Sequence, residues 1–159
     1  MARIPDRFDL FVRQARACAD PARQVDLVLG ALVALPAWYF LGHGAGQDAY
    51  VPVVEMEETR IDMMFTDAGR AEEMKQAAPS EVGEMMSVVG LEMPGAIEWC
   101  LKRKAALLVN PGDDAALIPF DQLEAFHSQW MERGAGKGAG FWIPNMTSAE
   151  EDFWQEHGL

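Results

Sequence analysis

A chain of 159 residues, half of it hydrophobic and 24% charged, is long enough to bury one core and too apolar to be disordered. Its net charge of −12 repels phosphate backbones, which argues against general nucleic-acid binding. The imbalance grows along the chain: residues 1–80 carry 8 basic and 12 acidic side chains, residues 81–159 carry 5 and 13, so the C-terminal half is the acidic pole.

The chain opens on Arg3, Asp6 and Arg7 rather than on the apolar run of a secretory signal. Its longest apolar stretch, residues 27–41, contains Pro36 and falls short of the roughly 20 residues that cross a bilayer. A cytoplasmic location with no membrane partner follows as the expectation. Cys18 and Cys100, the only cysteines, sit in apolar helical contexts and read as free buried thiols.

Asp6 is placed to cap a helix over 7–18, with Phe8, Phe11, Val12 and Ala15 on one face. Arg3, Arg7, Arg13, Arg16 and Arg23 make this region mildly basic. Asp20 and Pro21 start a second helix over 21–34, because Asp caps free amides and proline suits the first helical position. Gly30 inside it points to close packing against a neighbour. Pro36 stops the helix, and residues 38–41 read as a strand leading into a glycine-rich turn over 42–46. Extended segments follow at 50–54 and 61–65, and Asp67 caps a helix over 68–78 that Pro79 breaks. Residues 84–89 fit either a strand or a helix. Pro94 opens a helix that runs to Arg103. A buried strand over 105–109 then enters the turn Asn110-Pro111-Gly112, followed by an extended 116–119. Asp121 caps the next helix, which carries Leu123, Phe126 and Trp130. Residues 134–140 are a glycine-rich linker. Beyond it, Thr147 and Glu150 have capping-box spacing ahead of a short helix with Phe153 and Trp154.

This alternation predicts a single α/β (α+β) domain over 1–133, a mixed β-sheet flanked by helices. An aromatic tail over 141–159 is expected to dock on the domain or on a second subunit. The helix over 25–35 leading into Trp38–Leu41, the proline-containing strand at 50–54, Phe65-Thr66-Asp67 before a helix, and Leu107–Gly112 before another lie in a particular order. Over residues 21–130 that order resembles the N-terminal domain of the SseB (enhanced serine sensitivity) family. The resemblance implies a small bacterial α/β protein without an established catalytic function, some relatives being encoded near secretion systems. Longer relatives carry a second, C-terminal domain for which this chain offers no counterpart, so that domain's role does not carry over.

Neither glycine cluster supports phosphate binding. Ala139 follows Gly138 and no Ser or Thr follows Lys137, while the 42–46 cluster leads into a strand instead of a helix N-terminus. His43, His127 and His157 lie on separate elements, and only His43 sits in a turn suited to a ligand. Asn110, following a buried strand, is the best site candidate, because α/β proteins place ligands at strand ends. Asp113 and Asp114 beside it are candidates to hold a hard cation, against the simpler reading of solvated turn aspartates. Trp38, His43, Asn110 and Asp113 would line such a pocket. The acidic pairs elsewhere read as solvated charge.

Four large rings, Phe141, Trp142, Phe153 and Trp154, fall within 14 residues, each able to bury on the order of 200 Å². The leading expectation is a non-catalytic protein without cofactor that acts by protein–protein contact, as a homodimer or with another protein. Trp142 and Trp154 would anchor the partner and negative charge would steer it. The alternative is a small-ligand or metal-binding domain, or an enzyme, with its pocket at the strand ends.

Overall fold

The first helix, α1 (Arg7–Ala15), starts where the Asp6 carboxylate accepts from the Asp9 amide and the Asp9 carboxylate accepts in turn from the Asp6 amide. This reciprocal cap satisfies two amides that the helix leaves free. Phe8, Phe11, Val12 and Ala15 all face inward, as their spacing requires. In α2 (Pro21–Val33) the Asp20 carboxylate accepts from the Ala22 amide, and every residue from Leu27 to Val33 is buried. That helix is the centre of the molecule. The computed structural model describes residues 6–18, 20–43, 54–56, 59–78, 86–93, 95–112, 114–132 and 140–158.

Six strands and four further helices follow among the described residues: β1 (Ala37–His43), β2 (Val54–Met56), β3 (Thr59–Met64), α3 (Ala68–Ala77), β4 (Met86–Glu92), α4 (Gly95–Arg103), β5 (Ala106–Val109), β6 (Ala116–Ile118), α5 (Phe120–Glu132) and α6 (Ser148–His157). They form one mixed α+β domain. β3 and β5 run parallel at the centre of a sheet ordered β2-β3-β5-β6, with antiparallel strands outside them. β1 and β4 form a separate antiparallel ladder from Ala37–Glu92 to His43–Met86. A single bridge between Tyr39 and Phe65 joins the two. The expected single sheet is therefore two. Only Phe65 reaches β1 before Thr66 and Asp67 turn the chain into α3, whose cap is the Asp67 carboxylate on the Arg70 amide.

Several boundaries differ from the expectation: α1 stops at Ala15 and not at residue 18, β3 spans Thr59–Met64 and not 61–65, and of the extended segment at 50–54 only Val54, which opens β2, lies within the described residues. Gly42 and His43 extend β1 instead of turning, because Ser87 and Met86 pair with them; residues 44–46 of that expected turn lie outside the described residues. The ambiguous segment is a strand from Met86 onward, since β1 offers it a full ladder, while residues 84 and 85 lie outside the description. α5 begins at Phe120, so Asp121 sits inside the first turn. It complements the helix dipole there without capping.

Trp38 is fully buried, and its indole Nε1 donates to the Leu32 carbonyl at 2.9 Å. The same buried cluster holds Phe11, Leu29, Phe40, Met64, Ile97, Leu107, Ile118 and Phe126, with Ile143 joining from beyond the glycine-rich stretch. Gly30 explains that closeness. A Cβ there would lie 2.6 Å from the Phe141 ring, 2.7 Å from Ile143 Cγ2 and 2.9 Å from the Trp142 carbonyl oxygen. Helix propensity alone favours alanine by about 1 kcal/mol. Gly30→Ala is nevertheless expected to destabilise the chain by about 1–3 kcal/mol, the usual range for overpacking. Urea unfolding checks the sign; a gain in stability would mean residues 141–143 do not rest on α2.

Candidate functional site

The carboxyl ends of β3 and β5 lie side by side, and Asn110 closes them. Its φ of 50° falls in the left-handed region that asparagine tolerates better than most side chains. Its amide N–H donates to the Met64 carbonyl at 2.8 Å. Its side-chain Oδ1 accepts from the Thr66 amide at 3.0 Å, and Nδ2 donates to Thr66 Oγ1 at 3.1 Å. Asn110 is buried, and these bonds tie the two strand ends to each other. Among the described residues, both polar atoms of the Asn110 side chain are engaged with Thr66.

Asp114 sits between two guanidinium groups, accepting from Arg13 Nε at 2.9 Å and facing Arg16 Nη1 at 3.5 Å. Arg16 also donates to the Ala115 carbonyl. The hydrogen bond from Arg13 holds the Asp114 carboxyl below the usual carboxylate range. A cation would have to displace both arginines, so the metal reading of Asp114 gives way to an ion pair that clips α1 to the turn before β6. Asp113 lies outside the described residues. So does the side chain of His43, whose backbone ends β1. Trp38 and Asn110, the other two pocket candidates, spend their polar atoms on Leu32 and Thr66. Among the described residues no group of three or more His, Cys, Asp or Glu is placed to hold a metal ion. A cleft of about 140 Å³ opens instead between α1, α2 and β6, lined by Val12, Val25, Val28 and Ile118 with Arg16 and Gln24.

Two buried ion pairs went unforeseen. Arg70 is 2% exposed and reaches Asp6 at 2.6 Å, Asp9 at 2.8 Å and Asp67 at 3.3 Å. Burial works against the Arg70 charge, but hydrogen bonds to Asp9 and Asp6 outweigh it and raise the guanidinium above its ordinary value. Asp62, fully buried on β3, takes a two-point contact from Arg103 at 2.7 and 2.9 Å. The same guanidinium lies 4.6 Å over the Trp99 ring. Cys100 is buried beside this pair, and burial first, then the Asp62 charge, push its thiol up. A thiol so disfavoured as a thiolate makes a poor nucleophile. The available signals were an Asp inside an apolar strand and an Arg three residues beyond a cap; neither names a partner far along the chain.

Residues 140–158 lie on α1, α2 and α5. Phe141 stacks on Trp154 with centroids 4.4 Å apart and planes 6° from parallel. Phe11 meets Phe153 at 5.2 Å and Trp154 at 5.6 Å in edge-to-face geometry, and Trp142 meets Phe126 at 5.5 Å. All four tail rings remain half-buried, and α6 itself buries no residue fully. Glu150 fastens its N-terminus. Its carboxylate accepts from Arg23 Nε at 2.8 Å and Nη2 at 2.5 Å, and from the Thr147 amide at 2.9 Å, while Thr147 Oγ1 accepts from the Glu150 amide. Arg23 Nη1 donates further to the Pro144 carbonyl and to Asp26. Trp142 and Trp154, expected to anchor a partner, are thus seated on their own chain.

The clamp carries a pH signature. Burial pushes the Glu150 carboxyl up, but hydrogen bonds from Arg23 and Thr147 outweigh it and leave it below its ordinary range. Asp26, the other acid facing Arg23, is pushed up by burial against the pull of that arginine. A depressed carboxyl stabilises above its unfolded pKa and loses that contribution as pH falls through the folded value. Asp26 has the opposite sign. The difference between wild type and Glu150→Gln isolates the first effect: wild type is expected to be the more stable at pH 6, with the advantage shrinking below about pH 4. Paired denaturant titrations check it. An advantage constant with pH would remove Glu150 from the clamp.

Comparison with protein-family models and with curated proteins returned no match.

Proposed function

We propose that this protein works by protein–protein contact and not by catalysis, as a cytoplasmic SseB-like protein. The observation that carries the contact reading is the tail: a helix with no fully buried residue, held by four half-buried rings and one arginine, exposing Glu151, Asp152 and Glu156. α5 exposes Glu124 and Glu132 as well. Such a surface suits a basic partner, which charge steers and apolar contact retains. The strand-end groups support the same reading, since Asn110 and Asp114 are engaged within the fold. The cytoplasmic part rests on the two free cysteines. Among the described residues no helix is long and apolar enough to cross a membrane.

The test is cross-linking of the full chain in its native extract, compared with a Glu151→Lys, Asp152→Lys, Glu156→Lys chain. The expected result is a partner whose capture weakens with salt and with charge reversal. Retention of the same partners by the reversed chain would overturn steering by this surface. Turnover of a small substrate by the purified protein would overturn the non-catalytic reading.

A further inference from the structure

We propose that the outer edge of β6 takes the free C-terminal end of an extended segment of another protein. The inference goes beyond the contact reading, because it concerns a different face and does not depend on α6. Arg16 of α1 donates to the Ala115 carbonyl, so the unpaired side of this strand is turned toward α1. Asn110, the neighbour that would answer Ala115 across the ladder, spends its amide on Met64. Ala116 and Ile118 therefore bond to Val109 and Leu107 of β5. Leu117 between them aims its own N–H and C=O away from β5, as the alternation along an antiparallel strand requires. Its side chain points to the opposite face of the sheet and is 52% exposed, whereas Ile118 is fully buried. β6 is the last strand of its sheet, so among the described residues no strand answers Leu117. An open edge of this kind is a template for another extended chain.

The surroundings say which part of a chain fits. The cleft of about 140 Å³ beside this edge is floored by Val12, Val25, Val28 and Ile118, and suits a single branched side chain. At its Ala115 end, Arg13 and Arg16 share the one carboxylate of Asp114, which leaves a positive charge in excess among the described residues. Arg16 uses two contacts of a guanidinium that carries five donors. A guest running antiparallel to β6 brings its C-terminus to that end. Its last residue then lies opposite Ala116, with the side chain in the cleft and the carboxylate at Arg16. The residue before it lies opposite Leu117 and exchanges both backbone bonds. The guest is thus a chain end with an aliphatic last residue, which a basic protein carries as readily as any other. A second copy cannot supply its own β6, because β5 fills the side of that strand where α1 would have to lie.

The experiment titrates the full chain with a fluorescein-labelled hexapeptide ending in threonine and valine, as the free acid and as the C-terminal amide. The amide is expected to bind about tenfold more weakly, through loss of one charge-assisted contact. Arg16→Gln should remove that preference. Leu117→Pro takes away the outward N–H while leaving the β5 ladder intact, and should abolish binding. Leu117→Ala, which shortens a side chain on the other face, should leave binding unchanged. If circular dichroism shows Leu117→Pro unfolded, Val25→Trp, which fills the cleft, takes its place with the same expectation. Equal affinity for acid and amide, or binding that survives Leu117→Pro, overturns the proposal. So does N-acetylvaline binding as tightly as the peptide, since that ligand has no second residue to lie opposite Leu117. Self-association that Leu117→Pro abolishes would make the occupant a second copy and overturn it as well. If peptide binding fails while salt-sensitive capture by the acidic surface persists, this site is wrong and the contact reading stands.

Discussion

Replacing Arg103 with methionine is expected to remove about 3–5 kcal/mol of stability, because it leaves a fully buried carboxylate without its counter-charge. Asp62 is 0% exposed on β3 and takes both of its short contacts from Arg103. Methionine retains much of the packing against Trp99, so the loss reports charge more than volume. The control is decisive. An Asp62→Leu, Arg103→Met double variant is expected to recover most of the loss, since apolar groups of similar size replace buried ion pairs at little net cost. Urea unfolding of the three chains checks both parts. A double variant as unstable as Arg103→Met alone would show that packing, not charge burial, governs this position.

Arg70→Met is the second large effect, again about 3–5 kcal/mol, and its cause differs. Asp62 pairs a strand with the last residue of α4, whereas Arg70 joins the capped ends of two helices. Asp6 and Asp9 belong to the capping box of α1, and Asp67 caps α3. Three carboxylates therefore converge on one guanidinium, and the side chain of Asp9 is only 3% exposed, with its Oδ1 accepting no hydrogen bond among the described residues. Without Arg70 the like charges repel and the Asp9 carboxylate remains buried. Arg70→Lys tests the geometry: a single ammonium replaces a planar fork that reaches in several directions. It is expected to cost about 2 kcal/mol, part of the loss on removing a charge-assisted network. Thermal unfolding of both variants separates the two claims. Full stability in Arg70→Lys would mean that charge alone, not the fork, holds the helix ends.

The contrast between these networks and the caps that flank them separates local from distant information. Asp20 before Pro21, Asp67 before Ala68, and Thr147 with Glu150 act within three residues of themselves. Their patterns are readable from order alone because the chain cannot place those groups far apart. The apolar spacing of α1 and the buried run of α2 are legible for the same reason. Gly30 sits between the two kinds of information. Its cost within a helix announces a close neighbour, yet the neighbour arrives from Phe141 and Ile143.

What order alone determined here was therefore a mixed α+β domain, most of its element starts and its apolar faces, all set by contacts within a turn or two. The tertiary structure decided which polar groups are spent. It joined Asp62 to Arg103 across 41 residues, Asp9 to Arg70 across 61, and Arg23 to Glu150 across 127. It also turned Asn110 from a ligand candidate into a strand stitch by setting Thr66 beside it. A charge or an amide looks the same in a sequence whether water or another side chain satisfies it. Only folding brings the distant partner within hydrogen-bond range.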